Sequence, residues 1–183
     1  MHDKDRVANL LGATVLAVND LVLTGVTAAA GVSTSGAAAL VSLVAAPGLS
    51  VTELGRRVGL SQPAAARMVD SLQEHGLVER RRSVGRWVAV YATERGRRAA
   101  EHILAARADP LRELVDTLDD EARETLGGLL ERLLERIYVE IGDNQRVCRL
   151  CDRAACLAHD SVCPVGQAAR ERGEVDRAGQ PIR

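Results

Sequence analysis

The stretch SVTELGRRVGLSQPAAARMVDSLQEHGLVERRRSVGRWVAVY, Ser50 to Tyr91, spells a helix, a tight turn, a second helix and a two-stranded hairpin. Leu54 and Val58 lie four residues apart and share one face of the first helix. Gly59 supplies the turn, because glycine takes a positive φ without strain. Ser61 is placed to cap the second helix by accepting from an orphan backbone N–H, and Pro63 suits a first turn where its missing N–H costs nothing. Ala65, Met68, Val69 and Leu72 form the apolar stripe, and Gly76 ends the helix. The outer face keeps Gln62, Ala64, Arg67 and Ser71: small residues that permit close approach, beside a Gln and an Arg long enough to reach base edges.

The paired helices make a helix-turn-helix, and a wing follows. Leu77 and Val78 start a strand that continues through Arg80, Arg81 and Arg82. Trp87 to Tyr91 is rich enough in aromatic and β-branched residues to return beside it, with Ser83, Val84 and Gly85 as the tip. Between Arg80 and Arg98 there are seven Arg against one acid, Glu94, a local net of +6 in a chain of formal net charge −1. Such an excess attracts phosphate.

GLSQPAAARMVDSLQEHGLVERR followed by GRWVAVYATERG resembles the winged helix of MarR-family transcriptional regulators, and the likeness spans roughly residues 5 to 141. The resemblance implies a recognition helix in the major groove and a wing in the adjacent minor groove of double-stranded DNA. Residue by residue, Ser61, Gln62, Pro63, Ala64 and Arg67 fall where the family contacts DNA, with Ser71 on the same face. Arg86 falls at the wing arginine, with Arg82 on the strand leading to it. The family wing carries an Asp two residues before that arginine, and this chain has Val84 there. The resemblance further implies a homodimer in which the first and last long helices of two subunits intertwine, a repressor as the expected regulatory mode, and a small-molecule effector held between the dimer and DNA-binding regions, for which no residue here is a marker.

Composition fits a soluble protein built on that fold. The chain has 183 residues, 46% of them hydrophobic, and aromatics at 2% with no Phe, so the core is Ala, Val and Leu, which favours helix packing. No start combines a basic segment, an apolar stretch and a small-residue cleavage site, and no uninterrupted apolar run reaches about 18 residues. A cytoplasmic protein without membrane contact is expected. A Gly-x-Ser-x-Gly elbow and a His-Glu-x-x-His motif are absent, and a Walker A loop is excluded because Lys4 is the sole Lys. The chain is therefore read as a non-enzyme; a redox enzyme built on its cysteines is the alternative of another class.

Leu11, Val15, Val18 and Val22 place one helix over residues 5 to 30, ended by Gly31, and a shorter helix runs from about Ser35 to Ala46 before Pro47 and Gly48. Thr93 caps a helix that continues to Leu118, bent or briefly broken at Pro110. Asp119, Asp120 and Glu121 then put negative charge at the start of another helix, whose Leu126, Leu129, Leu130, Leu133, Leu134, Ile137 and Ile141 form a stripe too wide for a lone surface helix.

All four cysteines fall within sixteen residues, as Cys148-x2-Cys151-x4-Cys156-x6-Cys163 followed by Pro164. Four thiolates can close a tetrahedral site on Zn2+, and Cys-x2-Cys is the knuckle that lets one turn supply two ligands. Arg146, Arg149 and Arg153 would offset its charge. The usual zinc pattern pairs two such knuckles, and this chain has one. An iron–sulfur cluster also takes four thiolates, and Cys163-Pro164 resembles the end of ferredoxin cysteine runs. Disulfides or redox-active thiols are the reading without metal. His159 lies between the last two cysteines and is read as a bystander.

The expected architecture is mainly α: a winged helix-turn-helix with a small β-hairpin wing and long dimerisation helices. Its segments are an N-terminal dimerisation helix and second helix (1–48), the DNA-binding region (49–92), C-terminal dimerisation helices (93–142), a cysteine-rich metal-binding loop (143–166) and a polar, frayed tail (167–183).

Overall fold

The computed structural model describes residues 3–82 and 88–174. The protein is mainly helical with one small antiparallel sheet, in the order α1 (Lys4–Ala30), α2 (Thr34–Ala45), α3 (Val51–Val58), α4 (Gln62–Glu74), β1 (Val78–Arg82), β2 (Val88–Ala92), α5 (Glu94–Val115), α6 (Asp120–Ile141), α7 (Asn144–Val147), α8 (Arg153–Cys156), a 3-10 turn (Ala158–Asp160) and α9 (Pro164–Glu171). β1 pairs with β2 with Arg80 opposite Val90. Leu49 adds an isolated bridge to Val90, so the chain entering α3 is stitched to the wing.

The core gathers α1 through Val26, α2 through Leu40 and Leu43, α3 through Leu54, α4 through Val69 and Leu72, the sheet through Val78 and Val90, and α5 through Ile103. Aliphatic side chains and alanine dominate it, as a chain without Phe requires. α2 is nearly enclosed, with Gly36 through Leu43 all buried.

Two long helices, α1 and α5, depart from expectation, whereas α6 leaves its stripe uncovered as expected. The face of α1 divides: Val22 and Val26 are buried in the core, whereas Leu11 and Val15 remain 44% and 56% exposed on the part that projects beyond it. By length and composition alone α1 could cross a membrane, since an 18-residue window reaches a mean hydropathy of 1.6 despite the lack of an uninterrupted apolar run. Pro110 neither breaks nor ends α5, which runs to Val115 rather than to Leu118. In α6, Leu129, Leu130, Leu133, Leu134, Ile137 and Ile141 are all exposed within the single chain, and only Tyr138 is buried.

The helix-capable start of the polar tail, residues 167–171, belongs to α9. Val165 and Ala169 on one face of α9 bury themselves with Tyr138 of α6, and the Tyr138 hydroxyl donates to Glu174. Burial, followed by the hydrogen bond to Glu174, pushes the Tyr138 hydroxyl up to about 12. The folded chain thus holds this proton more tightly than the unfolded chain. The associated stability is complete below pH 10, the ordinary value, and is lost as pH rises toward about 12. Tyr138→Phe is expected to cost about 1 kcal/mol at neutral pH, mostly the lost hydrogen bond, and to remove much of the alkaline loss. Thermal unfolding of both proteins at pH 8 and pH 11 measures this; a parental pH dependence in the Phe variant would assign the titration to another group.

Candidate nucleic-acid interface and cysteine centre

The turn between α3 and α4 is held by the backbone. Gly59 sits at φ 75°, Leu60 N–H donates to Gly55 O at 2.8 Å and Gly59 N–H to Arg56 O at 3.2 Å, which closes α3 with its last carbonyls satisfied. Gly55 lets the two helices touch, because a Cβ there would stand 2.6 Å from the Ala65 Cβ. Gly76 closes α4 in the same manner, with Leu77 N–H donating to Leu72 O at 2.9 Å.

This frame presents the expected face of α4. Ala65, Met68, Val69 and Leu72 are buried, Gln62, Pro63, Arg67 and Ser71 are exposed, and Ala64 is half-buried. Ser61 occupies the N-cap position with extended backbone, yet its side chain makes no capping hydrogen bond, contrary to the sequence expectation. It is exposed beside Gln62 at the start of α4.

Four of the seven arginines pair with carboxylates, two of which, Asp70 and Glu79, lie outside the counted stretch. Arg80 pairs with Asp70 at 2.6 Å and donates to Gln73 at 2.8 Å, tying the root of the wing to the outer face of α4. Arg81 pairs with Glu79 and stacks over the Tyr91 ring at 4.8 Å. Arg97 and Arg98 both pair with Glu94, and their guanidiniums, Arg97 first, hold its carboxyl below the usual carboxylate range. Arg67 and Arg82 make no ion pair among the described residues, and both are exposed. Arg86, expected at the wing, lies outside the described residues, as do Val84 and the wing tip.

A second charged network was missed by the sequence reading. Glu53, buried in α3, accepts from Arg56 at 2.8 Å and 3.1 Å and from Arg57 at 3.1 Å. Arg56 also donates to Asp143, 87 positions away. The i,i+3 and i,i+4 spacing of Glu53 with the two arginines was legible, but the partner at Asp143 was not.

Cys148, Cys156 and Cys163 sit at the ends of short helices, and Cys151 lies in the loop between α7 and α8. Asp143 caps α7 by accepting from Gln145 N–H and Arg146 N–H, and Cys148 follows directly. Cys151 N–H donates to Cys148 O at 2.9 Å, closing the knuckle turn. Asp152 caps α8, which ends at Cys156. Cys163 caps α9, its Sγ accepting from Gly166 N–H at 3.3 Å. All four sulfur-bearing residues line one cavity of about 250 Å³, together with Val22 of α1, Arg107 of α5 and Leu134 of α6. Arg149 joins this lining, Arg153 lines a smaller neighbouring cavity, and Arg107 is a cation the sequence reading did not name. His159 is exposed with φ 56° in the 3-10 turn, away from both linings.

The four thiols perturb one another. A hydrogen bond from Cys148, then the N–H groups at the start of α9, holds Cys163 below the ordinary thiol range, and Cys148 together with Arg107 lowers Cys151. Cys148, as donor, is pushed up, and burial raises Cys156. As placed, no set of three or more His, Cys, Asp or Glu side chains among the described residues forms a group able to hold an ion. The donor set itself, four soft sulfurs beside Arg107 and Arg149, has the chemistry of a thiolate metal centre.

With the geometry in hand, residues 30–86 match the family model of the MarR family. Over that stretch, from the end of α1 to the wing, the chain is similar to the MarR family. No curated protein matches it. Among solved structures it is similar to RV1404 from Mycobacterium tuberculosis, with 19% identity over 74% of this chain and 94% of that one and a TM-score of 0.66. It is also similar to FabT from Streptococcus pneumoniae in complex with DNA, with 18% identity over 77% and 100% and a TM-score of 0.63. The MarR family protein RV2887 from M. tuberculosis, in complex with salicylic acid, shares 27% identity over 67% and 95% with a TM-score of 0.51. In each case nearly the whole relative is matched by about three quarters of this chain or less, so this chain carries residues beyond the shared fold.

Proposed function

We propose that this protein is a cytoplasmic, sequence-specific DNA-binding transcriptional regulator, a repressor rather than an enzyme, that acts as a homodimer and carries a Zn2+ ion on Cys148, Cys151, Cys156 and Cys163. The observation that carries the DNA reading is the outer face of α4, where Gln62, Arg67 and Ser71 are exposed on a helix whose other face is fixed in the core. The likeness to FabT, solved in complex with DNA, supports DNA as the partner, and a helix-turn-helix lays its second helix in the major groove. Dimerisation is supported by the apolar residues left bare on α1 and α6, and Zn2+ by the convergence of four sulfurs on one cavity. An iron–sulfur cluster is the alternative occupant of the same four thiolates.

Arg67→Ala is expected to cost roughly 1 to 3 kcal/mol of specific DNA binding and to relax sequence preference, because a base-edge contact carries both affinity and discrimination. Arg86→Ala should instead weaken binding to many sequences and lower the salt slope by about one per subunit, as loss of a phosphate contact does. Binding isotherms at two salt concentrations against duplexes selected by the parent protein distinguish the two. Parental isotherms for both variants would refute the assignment of this face to DNA.

A further inference from the structure

We propose that the cysteine module is a strut through which occupancy of the four sulfurs sets the placement of the helix-turn-helix, with the Asp143–Arg56 pair as its transmitting contact. This rests on the reading of the four cysteines as a metal centre.

Asp143 has two roles at one point in the chain. It follows Gly142, the residue that closes α6, so it stands where the long apolar helix ends. Its carboxylate caps α7, the four-residue helix that runs straight into Cys148, and the same carboxylate accepts from Arg56 of α3. Arg56 in turn is anchored on Glu53, whose side chain is only 7% exposed. A rigid path therefore runs from Cys148 through α7 to the first helix of the helix-turn-helix. Arg146 of α7 adds a second touch, its Nε lying 3.3 Å from where a Cβ on Gly59 would sit, directly over the turn that sets the angle between α3 and α4.

The far side of the module is fixed to the other long helix. Cys163 caps α9, and α9 buries Val165 and Ala169 against Tyr138 of α6. A metal that draws four sulfurs into a tetrahedron with metal–sulfur distances of about 2.3 Å fixes Cys148 relative to Cys163. Cys163 is held by a docked helix, so the constraint falls on α7, and through Asp143 and Arg146 on α3. The ligated module holds each helix-turn-helix in one orientation relative to α6. In a dimer, two half-sites are read together only when both recognition helices are so held.

The test uses the full-length reduced protein, loaded with Zn2+ or stripped with a chelator, and a duplex selected by the parent from a random pool. Metal content is read first, then DNA affinity in both states. Loaded parent is expected to bind about tenfold or more tightly than stripped parent, within the usual range of coupling between sites. Arg56→Met and Asp143→Asn should keep full metal content and reduce that ratio to within about twofold; the Asn side chain still caps α7, so loss of fold does not explain the result. A parental ratio in both variants, or a ratio of one in the parent, overturns the strut and leaves the metal centre standing. A parent that takes up no metal overturns the centre and the strut together.

Discussion

Leu133→Glu is expected to convert the protein from a dimer to a folded monomer that no longer binds its DNA at concentrations where the parent is saturated. Leu133 lies mid-way along α6 and is 40% exposed in the single chain, flanked by Leu129, Leu130 and Ile137 at 50%, 46% and 46%. Leu10, Leu11, Val15 and Leu16 on α1 are bare as well. Covering such surface is worth about 25 cal/mol per Å², and the same gain is forfeited if the face meets water. A carboxylate inserted into a closed seam is buried without a partner, and breaking a seam in that way typically costs 3 to 5 kcal/mol per uncompensated charge. Because the residue touches nothing in its own subunit's core, the winged helix should keep its stability. Light scattering, with circular dichroism as a control on folding, gives the answer. A folded dimer of the variant would place the seam elsewhere, and sedimentation of the parent with lipid vesicles would redirect the bare face of α1 to a membrane.

Cys151→Ser is expected to abolish metal binding. The parent should hold one Zn2+ per chain through four sulfurs, and a hydroxyl does not replace a thiolate on a soft borderline cation. Binding energies of structural zinc sites run to about 10 kcal/mol or more at neutral pH, so the loss should appear locally as melting of residues 146 to 165. The winged helix should stay folded, since the core formed by α2, α3, α4 and the sheet includes none of the cysteines. Elemental analysis and hydrogen exchange measure the two effects. Absorption of anaerobically purified parent separates the occupants: a colourless protein with zinc supports the first reading, and a brown one assigns a cluster to the same thiolates. Full metal content and parental stability in Cys151→Ser would remove the four-cysteine site altogether.

Residues 50 to 82 and 88 to 91 specified their own secondary structure because the signals that set it are local. Gly59 and Gly76 take positive φ, Pro63 sits in a first turn, and Ala65, Met68, Val69 and Leu72 repeat at 3.6-residue spacing, so the buried and exposed faces of α4 follow from the sequence alone. The same holds for Thr93 and Asp119, which cap α5 and α6 with the hydrogen bonds their side chains offer three residues on. The clustering of the cysteines, and the excess of leucine on α6, were likewise visible as patterns that needed partners.

What those partners are within the chain was decided by tertiary structure. The arginines of the wing looked unopposed because Asp70 lies on another element, 10 positions before Arg80, and side-chain pairing across elements leaves no periodic trace. Pro110 was read as a bend or brief break, yet α5 packs along α1 and α2 and continues through it unbroken, since tertiary packing can outweigh one lost backbone bond. α9 looked like polar tail because its apolar positions are few; only the presence of Tyr138 opposite Val165 and Ala169 gives them something to bury against. Arg107 joined the cysteine region, and Asp143 tied that region to Arg56, through contacts that span tens of residues. Local patterns fix which faces a helix offers, because they act through bonds within a turn or two; which surfaces meet is a property of the whole packed chain, and no single window of this sequence contains it.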